Sequence, residues 1–297
     1  MSDRRGTTIP MLALAAAGCL WGTGFFFGKV ALDEMPVPTM VLFRMALACA
    51  GLLPFLFFRR PRFAKGEWGW VLAASALGVP IQYLVQFKGL SLTTVSHASL
   101  MVGTLPMLLA IAAVLSSHER LHFGGWLALA ASTFGAAFIA LSSKPGGTEH
   151  PTVWGDLLVV LSMFAAIAWI LISKRLMRRH SAVMVTASVY GIGAVMLAAV
   201  VITTWGLPSM RYSGSAWIAV AEQGLLATAT TTVLWNWGLK RVPASQAGIF
   251  VNLEPLVGAI LGVFLLHEVL GRMAVLGGAM IIAGAAYFTY KPQAPDS

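Results

Sequence analysis

The sequence predicts an all-α integral membrane protein, in which ten transmembrane helices form two inverted five-helix repeats around a central cavity. Three observations support this prediction: an apolar composition, ten apolar runs of membrane-spanning length, and an internal repeat. Of the 297 residues, 58% are hydrophobic and only 10% are charged, and the mean hydropathy is +0.80. Because about a quarter of the residues in soluble domains are charged, this composition excludes a soluble enzyme, a nucleic-acid-binding protein and a disordered protein.

Ten apolar runs are long enough to cross a membrane, since a helix needs about 20 apolar residues to span the hydrocarbon core. The first run is too long for a cleaved signal peptide, and nine more follow it.

The two cysteines and the limits of the spans complete this part of the prediction. Cys19 and Cys49 lie inside apolar runs, so no disulfide framework is indicated. The predicted spans are 10–31, 37–58, 68–87, 92–116, 122–142, 152–173, 183–205, 215–238, 244–266 and 272–290.

The distribution of lysine and arginine predicts the orientation of these spans. With the N-terminus inside, fourteen of the 20 basic residues lie on inner segments and five lie at outer ends, while Arg44 lies within a span. Basic residues concentrate in cytoplasmic loops, so both termini are predicted to be cytoplasmic. The net charge of +9 is therefore explained by topology, and no nucleic-acid partner is needed.

The chain contains an internal repeat with a period of 149 residues. Residues 89–121 align without a gap on 238–270, and 12 of the 33 positions are identical, including Pro106 with Pro255. Because the repeat unit contains five helices, an odd number, its second copy must cross the membrane in the opposite sense. Inverted repeats are a transporter architecture whose substrate site lies near the midplane between the halves. The two predicted halves are 1–145 and 146–297.

Motifs in both halves resemble those of the drug/metabolite transporter superfamily, and in particular its ten-helix EamA-type exporters. The resemblance covers nearly the whole chain, and the bacterial branch that exports aromatic and hydrophobic amino acids is the most similar. It implies that helices 1–4 and 6–9 surround a central cavity in the bacterial cytoplasmic membrane, with helices 5 and 10 outside. The motifs that carry it are Leu20-Trp21-Gly22, Pro106 with His118-Glu119, and Asn252-Leu253-Glu254-Pro255 with His267-Glu268.

Polar stripes on four spans predict the residues that bind the polar end of a substrate. In helix 3, Gln82 and Gln86 lie one turn apart, and amides without partners would be costly against lipid. His97 in helix 4 continues this pattern. Side chains of this kind can also serve only to join neighbouring helices, and this alternative stays open. The predicted polar ligands are Gln82, Gln86, His97, Asn236 and Asn252.

Large apolar side chains near these stripes predict the walls around the rest of the substrate. The predicted set is Trp21, Tyr83, Met101, Trp169, Trp235 and Phe250. Simple packing is the alternative for Trp21 and Trp169. Pro106 and Pro255 each remove a backbone donor, so both are predicted to bend their helices beside the cavity, and a packing kink is the alternative.

Two charged residues are predicted inside the membrane, where each charge is expensive and indicates function. Arg44 lies about two turns into helix 2 and could bind a substrate carboxylate, or pair with an acid or with carbonyl groups at a helix end. Glu254 could take a proton, bind a substrate ammonium group or hold a partner helix. Both the functional and the structural interpretations stay open at this point.

Two other classes of protein are less well supported. His118-Glu119-Arg120-Leu121-His122 matches the H-E-x-x-H pattern of zinc proteases, but it falls in the connection between helices 4 and 5, and the second copy lacks the second histidine. A scaffold is suggested by Gly258-x-x-x-Gly262 and Gly277-Gly278, but a scaffold has no use for polar stripes. The prediction is therefore a secondary transporter that exports small amphipathic metabolites, above all aromatic and hydrophobic amino acids, by alternating access. A drug or other metabolite carrier of the same fold is the alternative. No metal or cofactor is predicted, and the partners are a small molecule and the bilayer. Ten helices can enclose a pathway within one chain, so no oligomer is required.

Overall fold

The computed structural model describes residues 3–58, 63–93, 98, 101–117, 121–142, 152–266 and 272–290. Over these residues the chain forms ten helices, each of which overlaps one predicted span, so the predicted all-α fold is confirmed. Within the fourth predicted span, 92–116, the described helix is Leu105–Ser117. Seven are single helices: α1 (Asp3–Leu32), α2 (Val37–Phe58), α4 (Leu105–Ser117), α5 (Phe123–Ser142), α6 (Val153–Met177), α7 (Ala182–Trp205) and α10 (Arg272–Tyr290). Within the described ranges, α1, α2, α3, α6, α7 and α10 are long and apolar enough to cross a membrane.

The other three helices each change backbone geometry part of the way along. In α3, a π-helical segment, Leu77–Ile81, joins Trp68–Ala76 to Gln82–Ser91. In α8, the π-helical segment Glu222–Thr230 joins Gly214–Ala221 to Thr231–Leu239. In α9, the 3-10 segment Gly248–Asn252 joins Ala244–Ala247 to Leu253–Leu266.

The residues of each irregular segment explain its geometry. Pro80 lies inside the π segment of α3, and its missing N–H removes one regular helical hydrogen bond. In α8, which has no proline there, the hydroxyls of Thr228, Thr230 and Thr231 donate to carbonyl oxygens five residues earlier, at distances of 2.7–2.8 Å. These hydroxyls reinforce the wider π turn. Segments of this kind are frequent at functional sites.

Irregular backbone recurs at equivalent places in the two halves. Advancing 77–81 by 149 gives 226–230, which lies within the π segment of α8. Just before Pro106, residues 103–104 form a turn, and the 3-10 segment of α9 ends three residues before Pro255. The helical interruption therefore lies upstream of each predicted bend.

Helix packing follows the same two-fold regularity. The pairs α5–α10, α2–α7 and α4–α9 each join helices five apart in order. The remaining major contacts occur in matched sets: α3–α6 with α8–α1, α2–α8 with α7–α3, and α1–α9 with α6–α4. Adding five to both helix numbers of a pair gives another pair that is in contact, when the numbering returns from α10 to α1.

Two loop contacts also correspond between the halves. Glu34, between α1 and α2, accepts hydrogen bonds from the backbone N–H and hydroxyl of Ser213, which caps α8. Donation by that hydroxyl, and then by the N–H, holds the pKa of the Glu34 carboxyl below its usual range. Between α6 and α7, His180 Nε2 lies 2.9 Å from the carboxylate of Glu67, which directly precedes α3. Each loop thus fastens the third helix of the other half.

Substitution of Gly277 is expected to weaken the contact between α5 and α10. A Cβ at Gly135 would lie 2.5 Å from the Gly277 carbonyl oxygen, and a Cβ at Gly277 would clash with the Gly135 carbonyl in turn. Gly277→Ala should therefore lower the free energy of unfolding by about 1–3 kcal/mol, measured by thermal unfolding in detergent. Gly258→Ala is the control, since nothing lies within 4 Å of a Cβ at Gly258. Equal stability of the two variants would contradict the prediction.

Candidate substrate cavity

A cavity lies among α1, α2, α3, α6, α9 and the region that begins α4. Its empty volume is about 650 Å³, including the part that opens to solvent. Both halves of the chain contribute to its wall. The lining residues are Trp21, Gly24, Phe25, Arg44, Gln82, Tyr83, Gln86, Phe87, Val102, Leu105, Met163, Ala166, Trp169, Ile170, Val251 and Glu254.

Arg44 brings a buried positive charge to this cavity. Its residue is only 4% exposed, and its Nε donates a 2.7 Å hydrogen bond to the Thr228 hydroxyl. The guanidinium carbon lies 4.5 Å from the ring centroid of Tyr83 and 5.1 Å from that of Phe87. Within the described part of the chain, the two terminal amino groups have no hydrogen-bond acceptor and no ion-pair partner. They are free to bind an anion.

The aromatic rings beside Arg44 are themselves held by hydroxyl contacts. The Tyr83 hydroxyl lies 3.4 Å from that of Tyr190, and the Thr232 hydroxyl donates to Tyr190 at 3.2 Å. These contacts join α3, α7 and α8 behind the cavity wall. The face against which the Arg44 guanidinium stacks is therefore fixed by three helices.

Two acidic residues lie within electrostatic range of Arg44. Glu222 accepts a hydrogen bond from the Thr23 hydroxyl and does not line the cavity. Glu254 is 8% exposed and lines the cavity, and among the described residues its carboxyl has no hydrogen-bond or ion-pair partner. The cavity thus contains one basic and one acidic group that do not neutralise each other directly. This arrangement suits a ligand with both a carboxylate and an ammonium group.

Among the residues that the structure describes, two further polar atoms of the wall are buried without a partner: the indole nitrogen Nε1 of Trp169 and the amide oxygen Oε1 of Gln82. Trp169 is 3% exposed, and its ring packs against Gly78 and lies edge-to-face with Tyr190. An unpaired buried polar group costs about 1–3 kcal/mol. Both atoms are covered by protein, so each contributes such a cost in this structure.

Seven of the residues predicted from the sequence therefore lie together in the cavity wall. They are Trp21, Arg44, Gln82, Tyr83, Gln86, Trp169 and Glu254. Pro106 and Pro255 directly follow the lining residues Leu105 and Glu254. They adjoin the cavity but do not line it.

Asn236 and Asn252 do not line the cavity, because both face neighbouring helices. Asn236 Nδ2 donates to the Thr186 hydroxyl of α7 at 2.7 Å, and Asn252 Nδ2 donates to the Ser132 hydroxyl of α5 at 2.9 Å. Both side chains are fully buried. They therefore join helices, which is the alternative that the sequence had left open.

Three of the residues predicted to line the wall, like the two asparagines, do not line the cavity. Trp235 is fully buried with its ring centroid 5.0 Å from that of Trp21, so it supports that residue from behind. Phe250 is fully buried and does not line the cavity, and its backbone carbonyl lies against Gly18. Met101 packs against the core, and its neighbour Val102 reaches the cavity instead. His97 lies outside the described residues.

The protease alternative gains no support from the described part of the chain. His118, Glu119, His267 and Glu268 lie outside it, and His122 lies inside. Among the residues that the structure describes, no group of three His, Cys, Asp or Glu side chains could hold a metal ion.

Several apolar residues of the wall were not predicted from the sequence. Met163, Ala166 and Ile170 lie on the face of α6 that carries Trp169. Their spacing of three and four residues is that of one helical face, so the position of Trp169 was a usable signal. Phe87 follows Gln86 directly and lies one turn beyond Tyr83, and the same periodicity would have identified it.

Comparison with known proteins agrees with this architecture. A sequence model of the EamA-like transporter family matches residues 8–141 and 153–290, once in each half. An uncharacterized transporter of Archaeoglobus fulgidus is 22% identical over 94% of this chain and 97% of its own length. A probable biotin transporter of Pseudomonas aeruginosa is 29% identical over 89% and 92%, and the biotin transporter of Escherichia coli K12 is 26% identical over 97% and 95%.

One solved crystal structure has the same fold, with a TM-score of 0.76 and 20% sequence identity over 95% of this chain and 96% of its own. The apolar helices and these relatives together indicate a multi-pass membrane transporter of small molecules rather than an enzyme. The chain belongs to the EamA-like transporter family.

Proposed function

We propose that this protein exports small amphipathic carboxylates, above all aromatic and hydrophobic amino acids, across the bacterial cytoplasmic membrane. The observation that carries the proposal is the Arg44 guanidinium, which is buried in an aromatic-walled cavity and whose terminal amino groups have no partner among the described residues. Guanidinium binds a carboxylate through two parallel hydrogen bonds, and such charge-assisted pairs are strong.

The other residues of the cavity fit an amino acid bound in this way. The ammonium group pairs with the Glu254 carboxylate. Gln82 and Gln86 hydrogen-bond to the N–H groups and oxygen lone pairs of the amino acid that these two pairs leave open. Trp21, Phe25 and Trp169 contact the side chain. His97 stays a proposed ligand.

Alternating access follows from the repeated architecture. The halves 1–145 and 146–297 exchange inward-open and outward-open shapes around the cavity, with both termini cytoplasmic. Pro106 and Pro255 act as hinges, supported by the interrupted backbone upstream of each. The matched helix contacts and the matched π segments support two halves that move as equivalents.

Biotin is a second candidate substrate, favoured by a specific observation. Relatives named as biotin transporters are 26–29% identical to this chain. Biotin has one carboxylate, an apolar chain and a ureido ring with both N–H and C=O groups. The cavity wall offers Arg44 to the carboxylate and the amide side chains of Gln82 and Gln86 to the ureido ring.

Uptake into proteoliposomes tests the proposal and separates the two candidates. Labelled tryptophan, phenylalanine, methionine and biotin are offered to the wild type, and saturable uptake of at least one is expected. Glu254→Gln should reduce amino-acid uptake about tenfold or more, because the ammonium group loses a charged partner, and should leave biotin uptake largely unchanged. Glu222→Gln is the matched control, since Glu222 does not line the cavity. No saturable uptake of any carboxylate would refute the proposal.

A further inference from the structure

We infer that Thr228 is a positioning residue, which fixes the Arg44 guanidinium so that the cavity selects carboxylates over their neutral amides. The inference rests on the proposed function, since it takes Arg44 as the carboxylate ligand. Thr228 does not line the cavity and would act only through Arg44. Nothing in the family match or in the names of the relatives assigns it a role.

The hydrogen bonds of Thr228 have a defined direction. Its side chain is fully buried, and its hydroxyl donates to the Gln223 carbonyl oxygen at 2.7 Å. A hydroxyl has one proton to donate, so towards Arg44 it can only accept, and Nε donates to it at 2.7 Å. The π turn of α8 places the Gln223 carbonyl oxygen where it accepts the hydrogen bond from the Thr228 hydroxyl.

This bond determines which edge of the guanidinium faces the ligand. A guanidinium can bind a carboxylate through Nε with one terminal amino group, or through both terminal amino groups. Since Nε is occupied by Thr228, and Tyr83 and Phe87 lie near the guanidinium group, only the outer edge stays available. The side chain is held in one orientation before the substrate arrives.

The repeat shows that the fold does not require polar residues at this contact. Advancing Arg44 by 149 gives Gly193, and Thr228 corresponds in the same way to Val79 of the α3 π segment. Gly193 and Val79 are also in contact, since a Cβ at Gly193 would lie 2.5–2.6 Å from the Val79 side chain. The equivalent helix contact in the other half is therefore made by a glycine and a valine. Burying an arginine is expensive, so packing alone does not explain the polar pair.

Thr228→Val tests the inference, because it replaces the hydroxyl by a methyl group of similar size. The equivalent contact in the other half already contains a valine, Val79. Thr231→Val is the matched control. Thr231 is buried three residues further along α8 and makes the same bond to a carbonyl five residues earlier, without a hydrogen bond to Arg44. The readouts are KM and Vmax in proteoliposomes for phenylalanine against phenylalaninamide, and for biotin against its amide.

Thr228→Val is expected to raise KM for the carboxylate about tenfold or more, with little change in Vmax or in KM for the amide. Thr231→Val should retain the preference of the wild type, and Thr228→Ser, which keeps the hydroxyl, should restore it. If Thr228→Val is not recovered folded, Thr228→Ala takes its place in the same comparison.

The outcomes separate this inference from the proposed function. A wild type that transports acid and amide equally would overturn the proposed function, and the role of Thr228 with it. A wild type that prefers the acid, with Thr228→Val behaving like Thr231→Val, would overturn the inference alone. A loss of preference that Thr228→Ser fails to restore would also count against the hydroxyl.

Discussion

Arg44→Lys should reduce the uptake of carboxylate substrates at least tenfold while the protein still folds. Lysine keeps the positive charge, but it is a point charge with no planar edge for bidentate binding. It also has no group equivalent to Nε that could hold the Thr228 hydroxyl while two other donors face the cavity. Loss of a hydrogen bond between charged groups is worth about 1.5–3 kcal/mol, which corresponds to roughly ten- to a hundredfold in affinity.

Arg241→Lys is the control for this substitution. The Arg241 guanidinium also stacks on an aromatic ring, 4.0 Å from the centroid of Trp237, but the residue is exposed and does not line the cavity. Uptake by that variant should equal uptake by the wild type. If Arg44→Lys transported carboxylates as well as Arg241→Lys does, Arg44 would not be the carboxylate ligand.

Gly78→Ala is expected to abolish most transport and to destabilise the protein, because it displaces the Trp169 indole. A Cβ at Gly78 would lie 2.6 Å from Cγ and 2.9 Å from Nε1 of that ring. The indole is rigid and also packs edge-to-face with Tyr190, so either it leaves the cavity wall or α3 and α6 separate. Overpacking of this kind costs about 1–3 kcal/mol, and uptake should fall more than tenfold.

Gly69→Ala provides the comparison within the same helix. Nothing lies within 4 Å of a Cβ at Gly69, and alanine is favoured over glycine in a helix by about 1 kcal/mol. This variant should be as stable as the wild type or more so. Thermal unfolding in detergent and uptake in proteoliposomes measure both effects, and a Gly78→Ala protein with normal uptake would show that the position of Trp169 is unimportant.

The positions of the helices could be predicted from the sequence because membrane spans depend on local composition. The irregular backbone was harder to foresee. Pro80 is a visible cause of the π segment in α3, but the longer segment in α8 has only threonines to reinforce it. Threonine in an apolar helix has several structural uses, so its presence alone does not indicate a π turn.

The candidate site could be predicted only in part, because a polar side chain inside a span does not reveal what it faces. Gln82 and Asn236 looked equivalent in the sequence. Gln82 turned out to face the cavity, whereas Asn236 is bonded to Thr186 of another helix. That partner lies 50 residues away along the chain, and local periodicity contains no information about it.

The charged residues of the cavity are not duplicated, although the helices around them are. The residue 149 positions after Arg44 is Gly193, and the repeat counterpart of Glu254 is Leu105, so neither position carries a charge in the other half. Two identical halves would make the inward-open and outward-open states degenerate in free energy. In the proposed alternating-access cycle, unduplicated charges lift that degeneracy, and the empty carrier is expected to rest preferentially on one side of the membrane. The two faces can then differ in KM and in Vmax. Without an energy source, detailed balance still requires Vmax/KM to be equal for transport in the two directions.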